Sequence, residues 1–328
     1  MLPLIRNNTP FTVLILFIFT LVARLPALLH PVAPLPEEGL PLYNLLLGLC
    51  DVVLRGSAFG YTLLAVCLLF FQALYLNALA IRHRLFPRPA YVAAYCYLLL
   101  TSVLPSFSFF SSLIFVNWCL LGALDMMLRL AQPAHPRKQI YNAGLLVGLS
   151  ALFGFSAVAY ILLFLLALLL LRPFNIGEWV VALLGLCTPV YFLAGILFLA
   201  DSEAMLLRWV TAGLSLPAWP GWSVYAVGLV AGVAVLAGCG LYVMRGQVAK
   251  STIHIRRAWG VILCGCIISV PVAVFAGQQG GQAWLAVMPA LSLVTAHPLY
   301  LERNKRFVLF VFWFSLALLV FCQVTFNR

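Results

Sequence analysis

The sequence predicts an all-α integral membrane protein, built as a single polytopic domain over residues 1–328. Composition is the first observation: 65% of the residues are hydrophobic and 8% are charged, whereas a soluble domain carries about 25% charged residues. Several apolar runs also approach the roughly 20 residues with which a helix crosses a bilayer. Runs such as Ala157–Leu171 show no alternation of polar and apolar residues. Helices, and not a closed barrel, therefore satisfy the backbone in lipid.

About eleven apolar segments are predicted to cross the membrane. They are Phe11–Leu29, Tyr61–Ile81, Tyr91–Leu104, Ser112–Leu130, Asn142–Phe155, Ala157–Leu171, Trp179–Ala200, Trp222–Val243, Ala258–Phe275, Ala283–Pro298 and Phe307–Cys322. The fifth and sixth are short, so they form either a hairpin that breaks near Gly154 or one long kinked helix. The charge pattern favours the hairpin, because one long helix would reverse the sidedness of every later loop.

Positive charge predicts the orientation. If the N-terminus lies in the cytoplasm and the spans alternate, the outer side keeps Arg24, Arg55, Arg208 and Arg328 of the 19 Lys and Arg residues. Cytoplasmic loops carry an excess of Lys and Arg. We therefore expect a cytoplasmic N-terminus and a C-terminus on the outer side of the membrane. The basic residues lie in short breaks between apolar runs, so the net charge of +11 does not indicate a nucleic-acid surface.

The first long outer loop, residues 30–60, is predicted to contain a helix lying in the membrane interface. The loop opens with a proline-rich stretch that excludes regular helix. Leu40–Arg55 follows, and its polar residues and a glycine fall on one stripe of a helix, with Asp51 and Arg55 paired at i, i+4. The stripe consists of Asn44, Gly48, Asp51 and Arg55.

A second outer interfacial helix is predicted at residues 201–215. Asp201 or Ser202 can cap its N-terminus. Trp209 is expected to anchor it at the membrane surface, where tryptophan is enriched.

Glu37 and Glu38 are the main candidates for chemistry. Two adjacent carboxylates at an outer membrane surface suit a general base or a ligand of a divalent cation. Arg24, near the outer end of the first span, suits a phosphate group. The alternative is that both glutamates are solvated loop residues before a helix N-terminus, where acids favour the helix dipole.

Two stretches near the N-terminus carry a family resemblance. They are Leu21-Val-Ala-Arg-Leu-Pro-Ala-Leu-Leu29 and, after the proline-rich gap, Pro36-Glu-Glu-Gly-Leu-Pro-Leu-Tyr43. Together they resemble the opening of GT-C membrane glycosyltransferases, especially the protein-mannosyltransferase-like branch. The resemblance implies a GT-C-like fold, a catalytic acid at Glu37 or Glu38, and a lipid-phosphate site supported by Arg24. That family often has an Asp-Glu pair here, and Glu37 stands where the aspartate is expected.

The leading hypothesis is a glycosyltransferase-like protein that uses a polyprenyl-phosphate-linked sugar at the outer face of the inner membrane. Glu37 or Glu38 would accept a proton from the acceptor hydroxyl, and no cofactor is expected apart from a divalent metal at this pair. The predicted substrate-binding residues are Arg24, Asn44, Asp51, Arg55 and Arg208. The alternative is a non-catalytic scaffold or assembly factor of an envelope or secretion complex, with membrane-protein partners. A transporter ranks third, because no inverted repeat is visible.

Four further motifs resemble a family of multi-pass inner-membrane proteins of Bacteroidota. This resemblance implies a bacterial inner membrane, with the C-terminus in the periplasm, and no particular activity. The motifs are Gln72-Ala-Leu-Tyr-Leu-Asn77, Tyr141-Asn-Ala-Gly-Leu-Leu-Val-Gly148, Arg172-Pro-Phe-Asn-Ile-Gly-Glu-Trp179 and Met288-Pro-Ala-Leu-Ser292.

The other polar residues inside apolar runs are assigned to packing. Asp125 is expected to pair with Arg129 at i, i+4. Gln72, Asn77 and Asn117 are expected to bond neighbouring helices, or alternatively to line a polar path. The face of Gly144 and Gly148 predicts close helix packing, and the nine cysteines are expected to be free core residues. No metal site is predicted from histidine or cysteine spacing.

Overall fold

A computed structural model describes residues 5–6, 9–37, 40–130, 136–202, 205, 208–210, 224–275, 277–301 and 305–326. The α-helices are α1 Pro10–Ala23, α2 Leu25–Leu29, α3 Pro41–Leu54, α4 Ala58–Arg82, α5 Val92–Thr101, α6 Ser112–Arg129, α7 Pro136–Phe153, α8 Tyr160–Leu171, α9 Ile176–Leu199, α10 Val224–Val248, α11 Ile253–Phe275, α12 Met288–Tyr300 and α13 Lys305–Phe326. The 3-10 helices are Pro105–Ser108, Phe155–Ala159 and Gly277–Val287. The described ranges contain no strand, which confirms an all-α protein.

Seven helices among the described residues are long and apolar enough to cross a membrane, by length and composition. They are Ala58–Arg82, Ser112–Arg129, Ile176–Leu199, Tyr225–Val248, Ile253–Val274, Gly281–Tyr300 and Lys305–Thr325. The helices α1 and α5 and the unit Phe155–Leu171 are apolar but shorter. These helices indicate a multi-pass membrane protein. The count of eleven spans, the GT-C fold and the sidedness stay predictions.

Helix α5 is the centre of the bundle. All ten of its residues are buried, and it packs against α4 and α12. Ten residues extend about 15 Å as an α-helix, half of a bilayer core of about 30 Å. Helix α9 is the opposite case, because only 22% of its most apolar stretch is buried, against 83% for Gly281–Tyr300. The α9 surface is therefore suited to lipid, and α5 to the protein interior.

Helices α7 and α9 cross at close range through glycines. A Cβ atom on Gly148 would lie 2.5 Å from the carbonyl oxygen of Leu186, and one on Gly185 would lie 2.5 Å from that of Tyr141. No larger residue fits without moving a helix, so the predicted packing role of the Gly144–Gly148 face is confirmed, and Gly185 is the partner that the prediction lacked.

The chain breaks between α7 and α8 near Gly154, as predicted, while the membrane hairpin stays a prediction. Helix α7 ends at Phe153, Gly154 has an extended backbone, and the 3-10 helix Phe155–Ala159 leads into α8. The two helices contact each other.

Much of the second predicted interfacial helix, residues 201–215, lies outside the described residues. Trp209 is described and is buried. Its indole N–H donates to the carbonyl oxygen of Ala151 (3.1 Å) and its ring meets that of Phe155 edge-on. Trp209 therefore anchors this segment to the end of α7 and not to the membrane surface.

Candidate functional site

Polar side chains gather at two ends of the bundle, which we name after their buried charges. The Arg24 end comprises loop 31–37, α3, the start of α4 and the chain from Pro105 to Ser112. The Asp125 end comprises the last turns of α4 and α6.

Glu37 is fixed at the Arg24 end by its backbone. Prolines keep loop 31–37 out of helix, and Asn44 in the first turns of α3 then holds the loop from both sides. The Glu37 N–H donates to Asn44 Oδ1 (3.1 Å), and Asn44 Nδ2 donates to the Glu37 carbonyl oxygen (2.9 Å). Asn44, a member of the predicted polar stripe, therefore holds the backbone of the candidate base Glu37 through two hydrogen bonds, which we call the Asn44 clamp.

The Glu37 carboxylate lies at the N-terminus of α6. The Ser112 hydroxyl, on the first residue of that helix, lies 3.3 Å from each carboxylate oxygen and donates to it. A helix N-terminus carries partial positive charge that favours an anion. Glu37 is partly buried, so the Ser112 contact orients its carboxylate at the start of α6, in the position that a general base would need.

Aromatic side chains form the wall beside Glu37. Tyr43 is buried and its hydroxyl points to the carbonyl oxygen of Phe110 at 3.5 Å. The Phe110 ring lies 6.1 Å from Tyr43 and 5.4 Å from Tyr61, centroid to centroid. Burial, and next the nearby Glu37 carboxylate, raise the pKa of Tyr43 well above its usual value. Tyr43 is therefore a neutral wall residue and not an acid–base group near neutral pH.

Asp51 and Arg55 do not form the predicted ion pair. Helix α3 ends at Leu54, and Arg55 adopts a left-handed backbone with φ of 50°, which removes its side chain from the helical stripe. Asp51 Oδ1 instead accepts from the Tyr61 hydroxyl (2.9 Å) and from the Gly56 N–H (3.0 Å). Asp51 thus ties α3 to the start of α4, and Arg55 is exposed.

Arg24 lies inside the bundle, with 1% of its surface exposed. Its Nη2 donates to Thr101 Oγ1 (2.7 Å) and its Nε to Ser102 Oγ (3.3 Å), both at the end of α5. Its Nη1 has no acceptor among the described residues. A phosphate role for Arg24 stays a prediction, and in this arrangement the guanidinium is covered.

Two predicted site residues remain. Glu38 lies outside the described residues, so neither its catalytic role nor a metal at the Glu37–Glu38 pair is tested. Arg208 is exposed and precedes the anchored Trp209. Trp209 packs at the end of α7, where Phe153 stacks on Phe115 and Phe115 meets Phe110 of the Arg24 end; the substrate role of Arg208 stays a prediction.

At the Asp125 end, one buried carboxylate collects three basic groups. Asp125 is 1% exposed and accepts from Arg129 Nη2 (2.8 Å), as predicted from the i, i+4 spacing. Arg82 Nη1 (2.5 Å) and His83 Nε2 (2.8 Å) complete the cluster from the end of α4. The sequence analysis did not pair Arg82 or His83 with Asp125.

Buried polar groups between the two ends bond neighbouring helices. Gln72 donates to the carbonyl oxygen of Ile114 (2.7 Å) and accepts from the Tyr97 hydroxyl (2.6 Å), while Asn117 donates to the carbonyl oxygen of Leu285 (2.9 Å). This confirms the packing role for Gln72 and Asn117. Asn77 Oδ1 has no partner in the described part of the chain.

All nine cysteines are free, as predicted, but Cys187 is exposed, so the expected core position is wrong for that residue. The described residues contain no group of three His, Cys, Asp or Glu side chains arranged for a metal ion. Comparisons with protein-family models, curated proteins and solved structures found no match for this chain.

Proposed function

We propose that the protein is a membrane glycosyltransferase that takes a sugar from a polyprenyl-phosphate carrier, at the outer face of a bacterial inner membrane. The observation that carries the proposal is the Glu37 carboxylate, which combines a clamped backbone, partial burial and a hydroxyl donor at a helix N-terminus. Asp51 bonds Tyr61 and Gly56 and so ties α3 to α4, and Glu37 is the carboxylate of this end to which we assign the base role.

The proposed reaction is a direct transfer. The acceptor hydroxyl oxygen attacks the anomeric carbon, the bond from that carbon to the phosphate oxygen breaks, and its electron pair leaves with the polyprenyl phosphate. Glu37 takes the hydroxyl proton. The Ser112 hydroxyl and the Asn44 clamp hold the carboxylate in place, and general-base catalysis of this kind contributes about 10²- to 10⁴-fold.

Access from lipid supports a lipid-linked substrate. Leu45, Leu49, Val52 and Val53 on α3 all expose more than half of their surface. They form an apolar face on the same helix as the Asn44 clamp, so a polyprenyl chain in the bilayer would lie beside the Glu37 site. Arg55 at the end of α3 is exposed and is the proposed contact for the phosphate, with Arg208 as a second cation.

The test is sugar transfer by the full chain in lipid nanodiscs, with a panel of polyprenyl-phosphate sugars as donors and short glycans or peptides as acceptors. Glu37→Gln should lower transfer at least 10²-fold and leave binding of polyprenyl phosphate intact. Asp51→Asn is the matched control, because it neutralises the carboxylate on α3 that is already bonded to Tyr61. Equal transfer by wild type and Glu37→Gln would refute the proposal.

The second candidate is a non-catalytic scaffold or assembly factor. The observation in its favour is that Asn44 and Asp51 make their hydrogen bonds within the protein and that Arg24 is covered. A scaffold predicts stable co-purification with other membrane proteins after gentle extraction, and equal co-purification by Glu37→Gln. Recovery of the wild type as a lone monomer would count against it.

A further inference from the structure

We propose that Arg24 holds a small inorganic monoanion of halide size inside the bundle. This site is distinct from the proposed sugar-transfer site, and neither depends on the other. The proposal rests on the placement of one charge and on what surrounds it.

The charge of Arg24 is fully buried and contacts no carboxylate in the part of the chain that the structure describes. An arginine stays protonated in proteins. A charge at this depth costs several kcal/mol unless an opposite charge or strong dipoles meet it. The ends of α1 and α5 lie beside it, and helix C-termini carry about half a negative charge each. These dipoles offset part of the cost, but they leave Nη1 without an acceptor.

The two hydroxyls beside Arg24 are already committed. The Thr101 hydroxyl donates to the carbonyl oxygen of Tyr97 (2.7 Å) and the Ser102 hydroxyl to that of Leu98 (2.7 Å). Their lone pairs therefore point to Nη2 and Nε and fix the plane of the guanidinium. Nη1 is thus aimed in a set direction with its own N–H donors unused.

The elements that cover Arg24 exclude a large ligand. Helix α2 follows Arg24 directly and packs against the 3-10 helix Pro105–Ser108. On a further side, the Gln323 amide of α13 donates to the carbonyl oxygen of Ala23. A headgroup that carries acyl chains cannot reach a guanidinium with 1% exposure unless these elements part. A halide can accept from the Nη1 N–H donors and also neutralises the charge.

The experiment measures the thermal unfolding midpoint of the full chain in nanodiscs, in sodium gluconate with increasing sodium chloride or bromide at constant ionic strength. The wild type should gain a few degrees in a saturable manner, because a ligand that binds the folded state stabilises it. Arg24→Gln should lose this dependence. The matched control Arg84→Gln, an exposed arginine elsewhere, should keep it. A wild type without halide dependence, or an Arg24→Gln variant that retains it, would overturn the proposal.

A second measurement tests the proposal on the wild type alone, in case Arg24→Gln does not fold. Crystals of the wild type grown in bromide should show anomalous density within hydrogen-bond distance of Arg24 Nη1, and absence of a peak there would overturn the proposal. Mass spectrometry of co-purified lipids tests whether a phosphate lipid headgroup, and not a small anion, supplies the negative charge at Arg24. A phosphate lipid that is retained by the wild type, lost in Arg24→Lys and displaced by halide would assign the site to a headgroup and refute a small anion.

Discussion

The two ends of the bundle treat a buried charge in opposite ways. Asp125 is met by three basic groups on two helices, at 2.5 to 2.8 Å. Arg24 is met by two neutral hydroxyls and keeps an unused donor. The Asp125 cluster balances its buried charge within the fold. The Arg24 charge has no carboxylate partner among the described residues, and its Nη1 has no acceptor there. Buried ionisable groups inside membrane bundles are candidates for function, and the proposed sugar transfer and the proposed anion site both lie at the Arg24 end.

The largest effect on stability is expected at the Asp125 end. Asp125→Asn keeps the shape but removes the charge that holds Arg82, His83 and Arg129. Both arginines are partly exposed, so the loss in the free energy of unfolding should be smaller than for a fully buried pair. We expect about 2 kcal/mol. Thermal unfolding in nanodiscs measures it. An unchanged midpoint would mean that the cluster does not hold α4 to α6.

At the Arg24 end, removal of the buried charge is expected to leave stability unchanged or to increase it. Arg24→Met replaces a buried charge by an apolar side chain of similar length, and such replacements are neutral or stabilising. In halide-free buffer we expect the variant to equal or exceed the wild type by about 1 kcal/mol. A loss as large as that of Asp125→Asn would show that the fold already satisfies Arg24, and the contrast between the ends would disappear.

The Asn44 clamp should matter more for activity than for stability. Asn44→Ala removes both hydrogen bonds to the Glu37 backbone, which costs about 1 kcal/mol, but it frees the loop that carries the carboxylate. We expect sugar transfer to fall about 10²-fold, the usual consequence of a displacement of about 1 Å at a catalytic group. Asn175→Ala, which removes the side-chain cap of α9, is the control and should cost similar stability without affecting transfer.

The smallest effect is expected from Tyr61→Phe. The change removes the hydrogen bond from the Tyr61 hydroxyl to Asp51 and keeps the ring against Phe110, so it should cost about 0.5 to 1 kcal/mol. A double-mutant cycle with Asp51→Asn measures the coupling. A coupling near zero would mean that this contact does not connect α3 to α4.

Local features of the fold could be predicted from the sequence, and distant contacts could not. The Asp125–Arg129 pair and the Gly144–Gly148 face follow from helical spacing alone. The partners of Arg24 lie 77 and 78 positions away, and those of Asp125 on α4 lie 42 and 43 positions away, so no local rule finds them. The Asp51–Arg55 pair was wrong for a local reason, because α3 ends before Arg55 and the left-handed backbone there redirects the side chain.

The candidate site was predicted in part. The sequence identified Glu37 as a candidate acid and Asn44 as a member of a polar stripe, but not that Asn44 holds the Glu37 backbone. The Ser112 donor comes from a helix that begins 75 positions later, and its contribution requires the packing of the whole bundle.

The most direct measurement is binding of polyprenyl phosphate to the full chain in nanodiscs, by wild type beside Arg55→Gln and Arg84→Gln. The two arginines are matched, since both are exposed and both have φ of 50°, but Arg55 belongs to the Arg24 end and Arg84 follows the last turn of α4 at the other end. Saturable binding that Arg55→Gln weakens and Arg84→Gln leaves unchanged is the expected result. Absence of binding by the folded wild type, or equal weakening by both variants, would contradict a functional site at the Arg24 end.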